Sequence, residues 1–171
     1  MSAAERLDAE ALYAELLAGV RRLLKPGGAL VGITSGGAWL AERLQRDLGL
    51  AGAPGVLSIA LHRDDFSERG LAGGAANTKL PFEIDGRHIV LVDDVLYTGR
   101  TIRAAVNELY DFGRPASVAL AVLVDRGGRE LPIEATYTGA RVAVTRDNTV
   151  VLSRDPGGTL SLRVEPVTGV A

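Results

Sequence analysis

The stretch 90–101 constrains the fold of this chain most strongly, because two adjacent carboxylates directly follow an uninterrupted apolar run. Residues 89–92 are β-branched or apolar without alternation, which is typical of a central parallel strand covered on both faces. After a short polar turn, apolar residues recur at helical spacing over 102–109, and Gly113 supplies a stop signal. We therefore expect a strand, a diacid, a turn and a helix in immediate succession.

The turn after this strand has the composition of a phosphate site. Unpaired amide hydrogens and the positive end of the helix dipole favour an anion at a helix N-terminus, and Gly99 lets a ligand approach the backbone closely. Thr98 and Thr101 can add hydroxyl donors. The carboxylates of Asp93 and Asp94 can accept hydrogen bonds from two vicinal ribose hydroxyls, and they suit the Mg2+ that accompanies a sugar polyphosphate. The pattern predicts a phosphate and sugar site.

The same stretch also has a plainer interpretation. Asp93 and Asp94 would begin a solvated loop, and Thr101 would be an ordinary helix cap. The combination of strand, diacid, turn and helix favours the ligand site. A P-loop is excluded, because the chain contains no Gly-Lys-Ser or Gly-Lys-Thr string.

Composition limits the classes of protein that remain. With 171 residues, of which 47% are hydrophobic and 23% charged, residues 1–171 fit one globular domain. The net charge of -2 gives no overall field that favours DNA or an anionic membrane, so any RNA site would be a local patch. The absence of cysteine excludes disulfides and thiolate metal sites. Without a signal-peptide pattern or a membrane-length apolar segment, we expect a cytoplasmic protein.

Polar loops follow further predicted strands. Residues 30–33 form a short apolar strand, and residues 117–124 form a longer one that ends at Asp125. The turn after the first of these consists of Thr34, Ser35, Gly36 and Gly37. It can offer backbone donors to a pyrophosphate, or simply connect a strand to a helix. Because open parallel sheets bind ligands at the carboxyl ends of their strands, we expect one shared site in an α/β domain with a central parallel sheet.

Other elements are expected around this sheet. A leucine stripe predicts an N-terminal helix that ends before Pro26, and Trp39 is expected to pack in the core rather than to stack on a base. Residues 56–61 form an apolar strand that runs into Arg63, which suits either a phosphate contact or a surface salt-bridge cluster.

The rest of the chain predicts short strands and one flexible stretch. Residues 67–77 are polar and rich in glycine and alanine, and are either a flexible lid or an exposed hairpin tip. Residues 80–84 are expected to return as a strand. The final strands, expected to cap or extend the sheet, are 142–145, 149–152 and 160–164, with a hairpin turn at 156–158.

Four strings of the sequence together resemble the PyrR family within the type I phosphoribosyltransferases. They are residues 93–101, Arg63-Asp64-Asp65, Gly113-Arg114-Pro115, and the run 123–133. The resemblance extends from about residue 30 to residue 139. Members of this family regulate pyrimidine operons and also act as uracil phosphoribosyltransferases. The resemblance implies a parallel sheet flanked by helices, with a small hood and a flexible loop, and a homo-oligomer.

The resemblance also implies an activity and a set of site residues. The enzyme would form UMP and pyrophosphate from uracil and phosphoribosyl pyrophosphate (PRPP), with Mg2+. Asp93 and Asp94 would be catalytic, would face the ribose, and would hold the metal indirectly. The turn 98–101 would hold the 5′-phosphate, and 34–37 the pyrophosphate. The substrate-binding residues implied are Thr34, Ser35, Gly36, Gly37, Arg63, Asp93, Asp94, Val95, Leu96, Tyr97, Thr98, Gly99, Arg100, Thr101, Arg126 and Val150.

The chain departs from the family in its basic residues. Where family members have Gly-Ile-Lys-Thr-Arg-Gly, this chain has Gly-Ile-Thr-Ser-Gly-Gly at 32–37, so two cations are missing. Gly128, Glu134 and Ala140 also stand where the family has basic residues or donors. Phosphate neutralisation dominates nonspecific RNA affinity. Since Arg129, Arg141 and Arg146 remain, we expect weak RNA binding, with a UMP- or PRPP-responsive RNA-binding regulator as the alternative function.

Overall fold

A computed structural model of the chain describes residues 7–59 and 77–168. Within these ranges the elements are, in order, α1 (Ala9–Leu23), β1 (Ala29–Ile33), α2 (Gly36–Asp47), β2 (Gly55–Leu57), β3 (His88–Leu96), α3 (Arg100–Asp111), β4 (Ser117–Asp125), β5 (Tyr137–Arg141), β6 (Asn148–Arg154) and β7 (Leu160–Pro166).

The first five strands form one parallel sheet in the order β2-β1-β3-β4-β5. Because a parallel neighbour needs a crossover, a helix follows β1 and another follows β3. β3 lies at the centre of the sheet, as its non-alternating apolar sequence predicts. The expectation of an α/β fold with a central parallel sheet is confirmed.

The alternating side chains of β3 belong to two different cores. Val90 and Val92 pack in the core that contains α1, α2 and the hood, which we define as the antiparallel pair β6 and β7. Ile89 and Leu91 pack in the core that contains α3. Since both faces of the strand are covered, apolar residues are needed at every position of the run 89–92.

α1 ends before Pro26, as the leucine stripe predicts. The Asp8 carboxylate caps it by accepting hydrogen bonds from the Glu10 and Ala11 N–H groups at 3.1 and 3.0 Å. Leu16 and Val20 of the leucine stripe are fully buried. No helix within the described ranges is both long enough and apolar enough to cross a membrane.

The hood is fastened to the helices by a polar network. The Leu160 N–H donates to the Glu10 carboxylate at 2.8 Å, and the Arg43 guanidinium donates two hydrogen bonds to the same carboxylate at 3.0 and 2.7 Å. Trp39 packs against the core and is half-buried, with the Arg154 guanidinium 5.0 Å from its ring centroid. The predicted hairpin turn at 156–158 connects the two hood strands.

Two of the predicted strands are wrong. Residues 80–84 form no strand, and Lys79 makes only an isolated antiparallel bridge with Val56. Pro81 has no N–H to continue such a pairing. Residues 142–145 form no strand either, because β5 is paired with β4 and β4 ends at Asp125. Of the strand predicted at 56–61, residues 56 and 57 belong to β2 and residues 58 and 59 are not strand. Residues 60 and 61 lie outside the described residues.

Candidate active site

Asp93 and Asp94 lie on the central strand, near its carboxyl end. β3 does not end near Val92, as the apolar run predicts, because it remains paired with β4 up to Leu96. Asp93 is buried, with 3% of its surface exposed, and Asp94 is half-buried. The Asp94 N–H donates to Asp93 Oδ1 at 2.9 Å, and the Val95 N–H donates to Asp94 Oδ1 at 2.9 Å. Both carboxylates are thus at the edge where open parallel sheets bind ligands.

The Ser35 turn, residues 34–37, joins β1 to α2 and lies against the two carboxylates. A side chain at Gly36 would clash with the Asp94 carboxylate, and one at Gly37 would clash with the β3 backbone. Ser35 is the N-cap of α2 but makes no side-chain capping hydrogen bond, and the peptide bond before it is cis. The first turn of α2 therefore presents backbone N–H groups to the same edge as the diacid.

The Thr98 turn, residues 97–101, joins β3 to α3. Gly99 is the N-cap of α3 and has a φ of 94°, in the left-handed region that favours glycine. The Arg100 N–H donates to Thr98 Oγ1 at 3.2 Å. Because Gly99 is the cap, the plainer interpretation of Thr101 as an ordinary helix cap is wrong, and Thr101 lies inside the first turn. The predicted helix N-terminus after the diacid is confirmed.

A third segment, residues 129–133, packs against the Thr98 turn, and we call it the clasp. The N–H groups of Glu130 and Leu131 both donate to the Thr98 carbonyl oxygen, at 3.0 and 3.1 Å. The Arg100 guanidinium forms an ion pair with the Glu130 carboxylate. These contacts join the loop after β4 to the loop after β3, and the local pattern of the sequence does not predict them.

Arg129 connects the clasp to the ends of both central strands. Its Nη1 donates to the Tyr97 carbonyl oxygen at 2.9 Å, and its Nε donates to the Ile133 carbonyl oxygen at 2.8 Å. Its Nη2 donates to Asp125 Oδ2 at 2.5 Å. Arg129 therefore bonds to three separate acceptors, although the sequence indicates only an RNA contact. The spacing of Asp125 and Arg129, an opposite-charge pair at i and i+4, is the one local signal of this ion pair.

The carboxylate of Asp125 is held in its charged form by this arrangement. Burial alone would raise the pKa of Asp125, but hydrogen bonds from Arg129 and from the Gly127 N–H, together with the nearby charge of Arg141, lower it below the usual value of 3.8. The buried end of β4 therefore carries a negative charge that is paired with the clasp.

Arg126 is also buried, with 5% of its surface exposed. Its Nη1 donates to the Asn148 carbonyl oxygen at 2.8 Å, its Nη2 donates to the Thr145 carbonyl oxygen at 3.0 Å, and its guanidinium lies 3.8 Å from the centroid of the Tyr97 ring. Among the described residues, its Nε has no hydrogen-bond partner. Arg126 therefore connects the Thr98 turn to the start of the hood, and its nucleotide contact stays a prediction.

The remaining predicted site residues lie in different surroundings. Val150 is a buried residue of the hood, and its side chain packs in the core with α1 and α2. Leu96 is buried in the core on the α3 side, and Val95 is half-buried on the other side. Arg63, and residues 67–76 of the predicted lid, lie outside the described residues.

The carboxylate oxygens at this edge are too few to hold Mg2+ by themselves, so a bound substrate would have to supply further ligands. Within the described ranges, no group of three or more His, Cys, Asp or Glu side chains could hold a metal ion. Mg2+ in phosphate-binding enzymes commonly takes one or two protein carboxylates and completes its shell with waters and substrate phosphates. The adjacent oxygens of Asp93 and Asp94, beside two helix N-termini that favour phosphate, fit that arrangement.

Comparison with known sequences identifies the class of domain. Residues 6–151 match the phosphoribosyl transferase domain family. The bifunctional protein PyrR of Ralstonia nicotianae is 54% identical over 158 residues, which cover 90% of each chain. The bifunctional protein PyrR of Nitrosococcus oceani is 48% identical over 155 residues, which cover 86% of each chain.

Solved structures with the same fold are more distant in sequence. A hypoxanthine-guanine phosphoribosyltransferase from Bacillus anthracis superposes with a TM-score of 0.61 at 18% identity, covering 85% of this chain and 84% of that one. The hypoxanthine phosphoribosyltransferase of Trypanosoma cruzi gives a TM-score of 0.60 at 18% identity, covering 95% and 96%. At these identities the likeness shows the fold alone.

Proposed function

Because the chain belongs to the PyrR family within the type I phosphoribosyltransferases, we propose that it is a uracil phosphoribosyltransferase that forms UMP and pyrophosphate from uracil and PRPP. The observation that carries the proposal is the meeting of the diacid of β3 with the N-termini of α2 and α3 at one edge of the sheet. PRPP carries a 5′-phosphate at one end of its ribose and a pyrophosphate at the other, and this edge offers a helix N-terminus for each beside two carboxylates.

Each part of PRPP has a matching group of residues in this proposal. The Thr98 turn holds the 5′-phosphate through backbone N–H groups and the hydroxyls of Thr98 and Thr101. Asp93 and Asp94 accept hydrogen bonds from the ribose hydroxyls. The Ser35 turn and the first turn of α2 receive the pyrophosphate. Mg2+, when bound with PRPP, would be held by the diacid and the phosphates, and supplies positive charge beside the leaving group.

The reaction replaces one bond at the ribose C1′ by another. The bond from C1′ to the pyrophosphate oxygen breaks, the bond from C1′ to uracil N1 forms, and the N1 proton of uracil is released. Positive charge develops on the ribose as the first bond breaks, and the nearby carboxylates stabilise it electrostatically. The leaving pyrophosphate needs donors in turn, and the Ser35 turn provides backbone N–H groups but no cationic side chain. We therefore expect slow turnover.

A side-by-side assay of three bases tests the proposal. Purified protein is incubated with PRPP, Mg2+ and either uracil, orotate or hypoxanthine, and pyrophosphate release is measured. We expect release with uracil only. Release with orotate or hypoxanthine but not with uracil would overturn the base assignment, and no release with any base would overturn the enzymatic proposal.

Asp94→Asn provides the residue-level test. Losing the charge beside the developing positive charge should lower kcat by about a hundredfold, the usual scale for one electrostatic group. Asp111→Asn, at the exposed end of α3, is the matched control because it removes a carboxylate from the same chain away from the diacid. Equal turnover in both variants would contradict the role of Asp94.

A regulator that binds RNA and responds to UMP or PRPP is the second candidate, and its expected RNA affinity is low. Arg129 already donates to three protein acceptors. Arg141 lies 3.9 Å from a carboxylate oxygen of Asp125 and 3.8 Å from one of Glu134. Carboxylates beside these arginines reduce the positive charge that an RNA phosphate would meet.

A gel-shift titration with pyrimidine leader RNA separates the two candidates. It is run with and without UMP at two salt concentrations. We expect weak binding that falls steeply with salt and does not respond to UMP. Tight, sequence-specific binding that UMP strengthens would favour the regulator. We also propose a homo-oligomer, and sedimentation velocity measures its size.

A further inference from the structure

The clasp and the Thr98 turn are joined by contacts at successive residues. The Tyr97 carbonyl accepts from the Arg129 side chain, and the next carbonyl, that of Thr98, accepts from two clasp N–H groups. These carbonyls immediately precede the Gly99 cap of α3. The orientation of the peptide groups at the start of α3 is therefore set by a segment that follows a different strand.

Among the described residues of the clasp, Arg129 donates side-chain hydrogen bonds to the largest number of acceptors. Its side chain is 24% exposed, and that of its partner Asp125 is 8% exposed. A planar guanidinium can donate in three directions at once, whereas an ammonium at the end of a flexible stem cannot match a fixed set of separate acceptors. Shortening or neutralising this side chain would leave the Asp125 carboxylate and two carbonyl oxygens without that donor.

We propose that Arg129 is a positioning residue that holds the Thr98 turn in the geometry that binds the 5′-phosphate of PRPP and UMP. It acts through the Tyr97 carbonyl and through Asp125, and it does not touch the substrate. The proposal rests on the proposed function in assigning the 5′-phosphate to this turn. It gives the arginine a task inside the protein, in place of the RNA contact that the family resemblance indicates.

Four proteins test this proposal: the wild type, Arg129→Met, Arg129→Lys and Arg103→Met. Arg129→Met keeps an unbranched stem but removes the charge and the donors, and Arg129→Lys keeps the charge but loses the planar fork. Arg103→Met is the matched control, because Arg103 is exposed at the end of the first turn of α3 and its loss removes one positive charge near the Thr98 turn.

Binding and turnover are measured first. PRPP and UMP are titrated by calorimetry with Mg2+, and KM and kcat are measured for both substrates. Arg129→Met should weaken PRPP and UMP binding by about ten- to a hundredfold, the scale of losing hydrogen bonds to a charged donor, while the KM for uracil stays unchanged. Arg129→Lys should recover only a minor part of this loss. Arg103→Met should stay within about twofold of the wild type, as expected for one exposed charge.

Amide hydrogen exchange provides a readout that needs no activity. Peptides that cover residues 95–104 should exchange faster in Arg129→Met than in the wild type, while peptides from the hood should not change. If Arg129→Met does not fold, Arg129→Lys carries the same comparison. If the wild type makes no UMP but exchange and PRPP affinity respond as expected, the proposed function fails and the positioning role stands.

Two outcomes would overturn the proposal. Unchanged exchange in residues 95–104 of both Arg129 variants would show that the arginine does not hold the turn. Full recovery of PRPP affinity by Arg129→Lys would show that the charge alone matters, which is the behaviour of a long-range electrostatic contact.

Discussion

The two helix N-termini that face the diacid are held in place by different physical means. The Ser35 turn is positioned by close contact, since side chains at Gly36 and Gly37 would clash with Asp94 and with the β3 backbone. The Thr98 turn is positioned by hydrogen bonds from the clasp and by the positive φ of Gly99. The Ser35 turn therefore has no room for an added atom at Gly36 or Gly37. The Thr98 turn depends on hydrogen bonds from polar partners, and the charge pairing of those partners changes with pH.

This difference bears on the missing cations of the Ser35 turn. By the resemblance, family members usually have an arginine at the position of Gly36, where the Asp94 carboxylate here occupies the space that a side chain would need. The Thr98 turn keeps a paired arginine beside it in Arg129. The charge that this chain retains thus lies beside the Thr98 turn, while the Ser35 turn has backbone N–H groups and two hydroxyls but no cationic side chain.

Gly99→Val should have the largest effect, because it acts on the Thr98 turn in two ways. Valine disfavours the φ of 94° at this position, and its Cβ would lie 3.0 Å from Ile133 Cβ. The left-handed strain and the overpacking together should cost about 2 to 5 kcal/mol in the free energy of unfolding, and PRPP binding should be lost. Urea denaturation and calorimetry measure the two effects.

The control for this variant is Gly27→Val. Gly27 has a φ of 73°, and within the described ranges no residue beyond its chain neighbours comes within 4 Å of the position that a Cβ would take. This variant therefore carries the conformational cost alone. A loss of stability in Gly99→Val no greater than in Gly27→Val would mean that the contact with Ile133 does not limit the turn.

Gly37→Ala should have the next largest effect, and it should distort the Ser35 turn. The added methyl group would clash with the backbone of β3 and would lie 3.2 Å from Asp93 Oδ1. We expect a loss of about 1 to 3 kcal/mol in the free energy of unfolding and a strong loss of turnover, because the diacid or α2 must shift. Gly157→Ala, in the hood turn with one neighbour at 3.3 Å, is the control. Full activity in Gly37→Ala would contradict the close fit.

Asp125→Asn should have the smallest effect at neutral pH and should change the acid dependence of stability. The folded pKa of Asp125 is lowered, so its charge stabilises the protein above the unfolded pKa near 3.8, and this stability is lost as the pH falls through the folded pKa. Removing the charged partner of Arg129 should cost about 1 kcal/mol at pH 7, the usual net contribution of one hydrogen bond.

The measurement is urea denaturation of the wild type and Asp125→Asn from pH 7 down to acid. The difference between the two proteins should shrink as the pH falls below about 4, since only the wild type loses the Asp125 charge there. Glu10 and Asp47, whose pKa values are also lowered, titrate in both proteins and cancel in the comparison. A constant difference over the whole range would contradict the charge-paired clasp.

The apolar runs along the chain predict most strands of the sheet. They fail where the pairing between strands determines whether a strand forms and how far it extends. The buried strands around residues 30–33, 89–92 and 117–124 are present because a run of apolar residues needs cover on both faces. The predicted strand at 80–84 is wrong although it lies beside the edge strand β2, because Pro81 has no N–H to continue the pairing that the bridge between Lys79 and Val56 begins. β3 is longer than its apolar run because β4 continues to pair with it past the carboxylates.

The succession of strand, diacid, glycine turn and helix could be predicted from residues 89–109 alone, because each of these features depends on neighbours in the chain. Local apolar spacing, the conformational freedom of Gly99 and the position of Asp93 and Asp94 need no information from distant residues. This is why the helix N-terminus predicted after the diacid is confirmed, while the phosphate and sugar site at 93–101 stays a prediction.

The partners that support that site come from distant parts of the chain and are brought to it by folding. Arg129 follows β4, yet it donates to a carbonyl after β3, and Gly36 begins the helix after β1, yet it lies against Asp94. The parallel order of the sheet brings such pairs together, because it places the carboxyl ends of neighbouring strands side by side. A charged residue considered only with its neighbours in the sequence indicates a surface contact. In the folded chain, the half-buried Arg129 instead pairs with the buried carboxylate of Asp125 and donates to two carbonyl oxygens.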